Sequence, residues 1–280
     1  FYIAATGRPG PVLIDLPKDV ALAEARYAPV PDADIRGYKP VLHGNMKQIK
    51  KAADLINASK KAVIYAGGGV IISNAAKELA QFAHKTGIPV TTSMLGLGGF
   101  PADDKLFLGM PGMHGTRYAN YSLSECDLIV AVGTRFDDRV TGNVKQFAVH
   151  AKVVHIDIDP TTISKSVRVD VPIVGDAASI LNKLIPLVNR VDNADWIRQI
   201  DEWKTKYPLS YQNTDAEIKP QYVVEQIYEA TRGEAIITTE VGQNQMWAAH
   251  YYKFKTPRSF LSSGGLGTMG YGLPAAIGAQ

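Results

Sequence analysis

The sequence holds a single cysteine, Cys126. No internal disulfide can form, and a reducing compartment suits the chain. Set beside an apolar run, that thiol reads as a small core residue rather than a nucleophile. No apolar stretch approaches the roughly 18 residues that a membrane-spanning helix needs. The net charge is only +3, and no basic run occurs, so neither nucleic acid nor a membrane surface is indicated. The six histidines show no H-E-x-x-H or other metal-ligand spacing, and neither a P-loop nor a Ser–His–Asp arrangement can be picked out. His43, His84 and His150 read as solvated. Internal repeats and low-complexity segments are missing as well. What remains is an ordinary globular balance, 46% hydrophobic and 20% charged over 280 residues. That is enough for one large domain or two ordinary ones, with a sizeable core.

The most informative stretch is centred on Asp127-Leu-Ile-Val-Ala-Val-Gly133. A continuous apolar run closed by glycine predicts a strand buried on both faces, as in a parallel sheet. Upstream, Gly112-Met-His-Gly115 leads to Thr116, a suitable N-cap for a helix through Glu125. Downstream, Arg135, Asp137, Asp138 and Arg139 follow the carboxyl end of the strand. Open α/β sheets bind ligands in the crevice at that end. Taken singly, these charges read as a solvated loop. Together with two glycine-opened turns they suit a phosphate-bearing ligand, because amide N–H groups and guanidinium forks both match phosphate oxygens.

Along the chain, Gly7–Pro11 is a turn, and Val12-Leu-Ile-Asp15 predicts a short strand, the last element of an upstream domain over residues 1–20. Residues 21–40 are rich in proline and charge and read as a linker. From Asn45 a helical pattern precedes strand Ala62–Ala66, a glycine turn at residues 67–69, a helix ending at Gly87 and strand Ile88–Thr92. Further strands are expected at Lys152–Asp157 and Val171–Val174, followed by a helix capped by Asp176. This alternation predicts an α/β fold, a doubly wound parallel-sheet (Rossmann-like) central domain over residues 41–190. Residues 191–219 read as an irregular linker, with Trp196 and Trp203 covering the outside of the sheet. Residues 220–280 begin a second α/β domain: helix Tyr222–Thr231, strand Ala235–Thr239, a turn at Gly242, a helix around Met246–Tyr252, strand Phe260–Ser263 and a terminal helix.

Gly265-Leu-Gly267-Thr-Met-Gly270 fits G-x-G-x-x-G between a strand and a helix, which alone predicts a dinucleotide turn. The acidic partner expected about 20 residues on would fall past Gln280. Asp157 and Asp159 lie two apart at a strand end. A metal needs further ligands, whereas a carboxylate there can hold a ribose hydroxyl.

Three of these segments, LGMPGMHG, GTRFDDRVTG and HIDIDP, closely resemble the catalytic large subunits of the acetolactate synthase (acetohydroxyacid synthase) family of thiamine-diphosphate-dependent enzymes. The likeness runs from GRPGPVLIDLPKDV near the start to SSGGLGTMGYGLPAAIGAQ at the end. It implies FAD in the central domain, contacted by Arg8, Gly67, Gly68, Ser93, Met94, Gly112, Met113, His114, Gly133, Arg135, Asp137, Arg139, Val140, Asp157, Ile158 and Asp176. It also implies thiamine diphosphate in the second domain. The VGQHQMW-like segment Val241–Trp247 would receive the diphosphate through Gly242, Gln243 and Asn244, and backbone at Gly267 and Met269 would bind the aminopyrimidine. Asn244 departs from the family's usual histidine; it can donate a hydrogen bond but carries no charge.

By the same resemblance, the glutamate that activates the cofactor lies upstream of Phe1 and the Mg²⁺ motif downstream of Gln280. The expectation is therefore an internal fragment with no catalytic or metal residue of its own, inactive alone. The resemblance implies an enzyme that decarboxylates pyruvate and joins it to pyruvate or 2-oxobutyrate, in branched-chain amino acid biosynthesis. It further implies a homodimer or homotetramer, a small regulatory subunit and a cytoplasmic location in bacteria, or an organelle in plants and fungi. Alternatives are another thiamine-diphosphate carboligase or decarboxylase, a nicotinamide-dependent Rossmann dehydrogenase, and a non-catalytic FAD or ADP module.

Overall fold

The computed structural model describes residues 1–29, 34–214 and 216–280. Residues 30–33, within the expected linker, lie outside the described residues, as does residue 215. The chain opens with two short helical pieces, α1 (Tyr2–Ala5) and α2 (Lys18–Leu22). The strand expected at Val12–Asp15 does not form. Its backbone is irregular and unpaired among the described residues, and Leu13 and Ile14 are 93% and 77% exposed. An extended segment becomes a strand only where a neighbour accepts from its N–H groups and donates to its C=O groups. The anchor of this region lies earlier, at Thr6, whose carbonyl accepts the Tyr38 hydroxyl at 2.9 Å.

The central unit follows the apolar pattern closely. Helix α3 (Met46–Ala58) starts where the Asn45 side chain accepts the Lys47 N–H. It buries Ile49, Ala52, Ala53 and Ile56, the three- and four-residue spacing of one helical stripe. Strand β1 (Ala62–Ala66) is buried throughout. The glycines after it form no simple turn but begin a short helix, α4 (Gly68–Ile72). Helix α5 (Ala76–Thr86), strand β2 (Val90–Thr92), helix α6 (Arg117–Glu125), strand β3 (Leu128–Val132), helix α7 (Asp138–Thr141), strands β4 (Lys152–Asp157) and β5 (Val171–Val174), and helix α8 (Ala177–Leu184) complete it.

The five strands pair in the order β2-β1-β3-β4-β5, every pair parallel. Period-two alternation sends Ala62, Ile64 and Ala66 into a core with α3, α5 and α8. Val63 and Tyr65 point the other way, into a core with α6. Each fully buried aliphatic side chain of this sheet contributes roughly 1.5–3 kcal/mol relative to exposure. Because the chain adds β2 on one side of β1 and β3 on the other, the strand order reverses between β1 and β3. The crevice at such a reversal is where this class of sheet binds ligands.

The stretch read as an irregular linker contains a 13-residue helix, α9 (Ala194–Lys206). Its signal lies in Trp196, Ile200 and Trp203, at helical spacing within an otherwise polar segment. Trp196 is buried on the second face of the sheet and donates its indole N–H to the Ala62 carbonyl at 3.2 Å. The tryptophans thus cover the sheet as expected, but from a helix. Beyond it come α10 (Pro220–Thr231), β6 (Ile237–Thr239), α11 (Gln243–Tyr251), β7 (Phe260–Ser262) and α12 (Gly272–Ala279), with β6 and β7 parallel. Leu97 and Met110 of the central unit share a buried cluster with Ala249, Tyr252 and Phe254 of the second, which fixes α11 against it. Among the described residues, no helix is long and apolar enough to cross a membrane. Cys126 lies in the core as expected, and burial, helped by neighbouring Asp127, pushes its thiol up to about 12.

Candidate functional site

The site is built on a close crossing of two backbones. Ala66 and Val132 are register partners at the ends of β1 and β3, so Gly67 and Gly133 leave the sheet side by side. Gly67 N–H donates to the Val132 carbonyl at 2.9 Å, and Gly69 N–H to the Gly133 carbonyl at 3.0 Å. Gly133 has φ +59°, and a Cβ there would stand 2.6 Å from the Gly69 Cα. A Cβ on Gly67 would reach the Gly133 carbonyl oxygen at 2.3 Å. Only glycine fits this crossing, and it leaves the strand ends open to a ligand.

In front of the crossing lies a cavity of about 720 Å³, the size that binds a sizeable organic ligand. Of the residues expected at the flavin, Arg8, Gly68, Ser93, Met94, His114, Gly133, Arg135, Asp137, Arg139, Val140, Asp157, Ile158 and Asp176 line it. Three do not: Gly67 and Gly112 are taken up in backbone packing, and Met113 is 64% exposed beside the cavity. Gly112 lies against the 139–140 backbone, where a Cβ would meet the Arg139 carbonyl oxygen at 2.4 Å. Both glycines therefore shape the wall without forming it.

The charged cluster after β3 is ordered by Phe136, a non-glycine residue at φ +50°. Such a conformation costs on the order of 1–3 kcal/mol. It is offset by burying the ring against Tyr65, Phe147 and His155. The turn it makes leaves Arg135 and Asp137 side by side, with a guanidinium–carboxylate bond of 2.8 Å. Asp137 also accepts the Arg139 N–H at 3.0 Å, capping α7. Burial opposes ionisation of Asp137, but the Arg139 N–H, the Asp138 side chain and Arg135 outweigh it and hold the carboxyl below its usual range. Across the cavity, Arg8 reaches Asp159 at 3.4 Å. Asp159 is likewise held low: burial is outweighed by the Thr161 hydroxyl and N–H and by Arg8.

Asp176 caps α8 by accepting the Ser179 N–H at 2.9 Å and also accepts the Ser73 hydroxyl at 2.6 Å. Ser73, Tyr65 and Leu42 line the cavity and were not expected. Ser73 lies 103 residues from Asp176, so no local motif announces it. From the second unit, Gln245, Met246 and Gly264 complete the wall.

The thiamine positions gather at the carboxyl ends of β6 and β7. Gly242 precedes α11 with no side-chain cap, and the N–H groups of Gln243 and Asn244 find no acceptor among the described residues. Free amides at a helix N-terminus favour an anion. Gly267 and Met269 lie on the loop after β7, with Met269 89% exposed. At the end of that loop, the Gly270 and Gly272 N–H groups are taken by Glu240, at 2.8 and 2.6 Å. A dinucleotide turn would need that helix N-terminus for its pyrophosphate, so Gly265–Gly270 does not act as a nicotinamide fingerprint.

Residues 49–184 match the family described as thiamine pyrophosphate enzyme, central domain, and residues 240–280 match the C-terminal TPP binding domain. The chain belongs to the thiamine pyrophosphate enzymes. Its whole length aligns, at 46% identity over 288 residues, with 50% of the acetolactate synthase large subunit of Haemophilus influenzae. It is 52% identical over 293 residues to 49% of the probable acetolactate synthase large subunit of Methanocaldococcus jannaschii. With the Corynebacterium glutamicum large subunit the identity is 47% over 286 residues, 46% of that protein. The chain thus spans about half the length of the curated relatives it matches.

Within this thiamine pyrophosphate enzyme, the two matched regions meet at His250. Its Nε2 lies 2.5 Å from the His114 carbonyl, linking α11 to the cavity wall. Burial lowers the His250 pKa from its ordinary 6.5, against the opposing effect of that carbonyl. The folded state therefore disfavours the proton, so the stability His250 contributes is present above pH 6.5 and lost as pH falls through its lowered pKa. In full-length protein, unfolding free energy should fall below pH 6.5 by up to about 1.4 kcal/mol per pH unit from this group. Urea titrations at pH 7.5, 6.5 and 5.5 should show a flatter profile for His250→Gln. An unchanged profile would remove His250 from this role.

Proposed function

We propose that this chain is the middle of an acetolactate synthase catalytic subunit and that its cavity holds FAD. The observation that carries this reading is the juxtaposition of two sites. A glycine-floored cavity lined by arginines and by the carboxylates of Asp157 and Asp176 opens beside a helix N-terminus whose first amides have no acceptor among the described residues. The cavity residues fit the flavin nucleotide: Arg8, Arg135 and Arg139 for its phosphates, Asp157 and Asp176 for hydroxyls, and Met94, Met246 and Val140 for its ring faces. Gly242, Gln243 and Asn244 would take the diphosphate of thiamine diphosphate. When bound, thiamine diphosphate supplies the electron sink for decarboxylating a 2-oxo acid. The chain's own part is to bind, to orient and to exclude water. The substrates on this reading are pyruvate and a second 2-oxo acid, pyruvate or 2-oxobutyrate. The matched relatives are named large subunits, which favours a small partner subunit; a homo-oligomeric core belongs to the same reading.

Purified full-length protein should carry a flavin absorption band and form acetolactate from pyruvate only with thiamine diphosphate present. Absence of both sinks the reading. Within the cavity, Arg135 is half-exposed and already paired with Asp137, so its contact with a phosphate is partly screened. Arg135→Ala should weaken FAD retention by about 1–2 kcal/mol, roughly tenfold, rather than the 2–5 of a fully buried charge pair. Equilibrium dialysis of flavin from parent and variant measures this, and equal retention would return Arg135 to the solvent-facing role.

A further inference from the structure

The crevice of the second unit contains two helix N-termini, and the protein treats them differently. Beyond β6, Glu240 turns its side chain across to the loop after β7. One carboxylate oxygen accepts the Gly270 N–H at 2.8 Å and the other the Gly272 N–H at 2.6 Å. At the other end of the loop, the Ser263 carbonyl accepts the Gly267 N–H at 3.1 Å and its hydroxyl accepts the Thr268 N–H at 2.9 Å. Between these anchors Leu266 and Met269 stand 96% and 89% exposed. The outer part of the loop is thus held by hydrogen bonds to Glu240 and Ser263 rather than by buried side chains of its own. The fit at Glu240 is close: a Cβ on Gly272 would lie 3.0 Å from both its backbone nitrogen and a carboxylate oxygen.

We propose that Glu240 is the positioning residue of the thiamine site. It fixes the backbone of loop 264–272 before the cofactor arrives, and it keeps the diphosphate off α12 so that the anion goes to α11. This rests on the thiamine reading of the second unit given above. Both helix starts would attract an anion by their free amides and dipoles. At α12 the position is filled by the protein's own carboxylate, which satisfies two N–H groups through charge-assisted bonds and repels a second anion. At α11 the Gln243 and Asn244 amides have no such occupant among the described residues. One side chain therefore orients the ligand end to end, its charged end toward α11 and its neutral ring toward the loop. Glu240 need not touch the reacting atoms to do this.

The test compares full-length parent, Glu240→Ala and Glu240→Gln. Amide exchange in the apo protein reads the loop, and calorimetry with Mg²⁺ reads the affinities for thiamine diphosphate and for inorganic pyrophosphate alone. Flavin absorption and melting temperature check the rest of the fold. In Glu240→Ala, exchange at Gly270 and Gly272 should quicken about tenfold or more. Thiamine diphosphate should bind about tenfold more weakly, while pyrophosphate binds as well as or better than in the parent because α12 has become available. Glu240→Gln, which keeps one acceptor and turns a donor toward the other amide, should fall between. A merely structural role would weaken both ligands together. That outcome, or unaltered exchange, overturns the proposal. If the parent itself binds no thiamine diphosphate, the thiamine reading fails, and the exchange and pyrophosphate results still decide what Glu240 does.

Discussion

Gly133→Ala is expected to destabilise the protein by roughly 2–6 kcal/mol and, on the proposed flavin reading, to empty the cavity of its ligand. Two costs combine. A side chain at φ +59° is strained by on the order of 1–3 kcal/mol. The new Cβ would also collide with backbone, at 2.6 Å from the Gly69 Cα and 2.8 Å from its carbonyl carbon. Backbone cannot rotate away as a flexible side chain can, so β1 and β3 must separate at the mouth of the cavity, adding about 1–3 kcal/mol. Gly10→Ala is the control: nothing lies within 4 Å of its Cβ position, and its change should be within about 0.5 kcal/mol. Urea unfolding and flavin content of the purified variants measure both effects. A Gly133→Ala protein as stable as the control would mean that the crossing is looser than described.

Met269→Ala should do the reverse, leaving stability alone and removing activity. On the proposed thiamine reading, the Met269 side chain would support a bent cofactor; the alternative is an ordinary core methionine. A core methionine would cost about 2–5 kcal/mol on truncation. At 89% exposed, Met269 belongs to no core within this chain, and truncation should shift stability by no more than about 0.5 kcal/mol. As an apolar wedge it has the length and softness to sit between two rings. Losing that support misplaces the reacting groups, which can lower turnover on the order of 10²-fold. Steady-state acetolactate formation and thermal melting of full-length variant and parent separate the two cases. Early melting with full turnover would put Met269 back into packing.

The central unit was legible because its strands are continuous apolar runs and its helices carry caps at the right places. Asn45, Thr116 and Asp176 all cap the helices expected of them. The failures have physical causes. Val12–Asp15 has strand composition, but a strand also depends on a partner, which no single segment specifies. In Ala194–Lys206 four large apolar residues, Trp196, Ile197, Ile200 and Trp203, carry the helix against nine others that are mostly polar, so average polarity hid the period. At the cavity, residues on the glycine turns and the charged cluster were readable because their chemistry is local. Ser73, Tyr65 and Leu42 were not, because long-range folding alone brings them there. Phe136 carries no cue at all: its positive φ is imposed by the cluster around its ring. Glu240 was missed for a related reason, since its two partners lie 30 and 32 residues downstream.

The cavity wall draws on residues from Tyr2 to Gly264, and this has a consequence for how the protein is made. A chain emerging from the ribosome exposes the Arg8 segment first, the glycine crossing once β3 has been synthesised, and Asp157 and Asp176 later still. Met246 and Gly264 close the side toward the second unit last. On the proposed flavin reading, a nucleotide arriving before then would meet a half-built vessel whose arginines lack their facing wall. Loading would then belong to the end of synthesis, and a supply of flavin that fails during growth would be felt as a pool of finished but empty chains rather than as truncated ones.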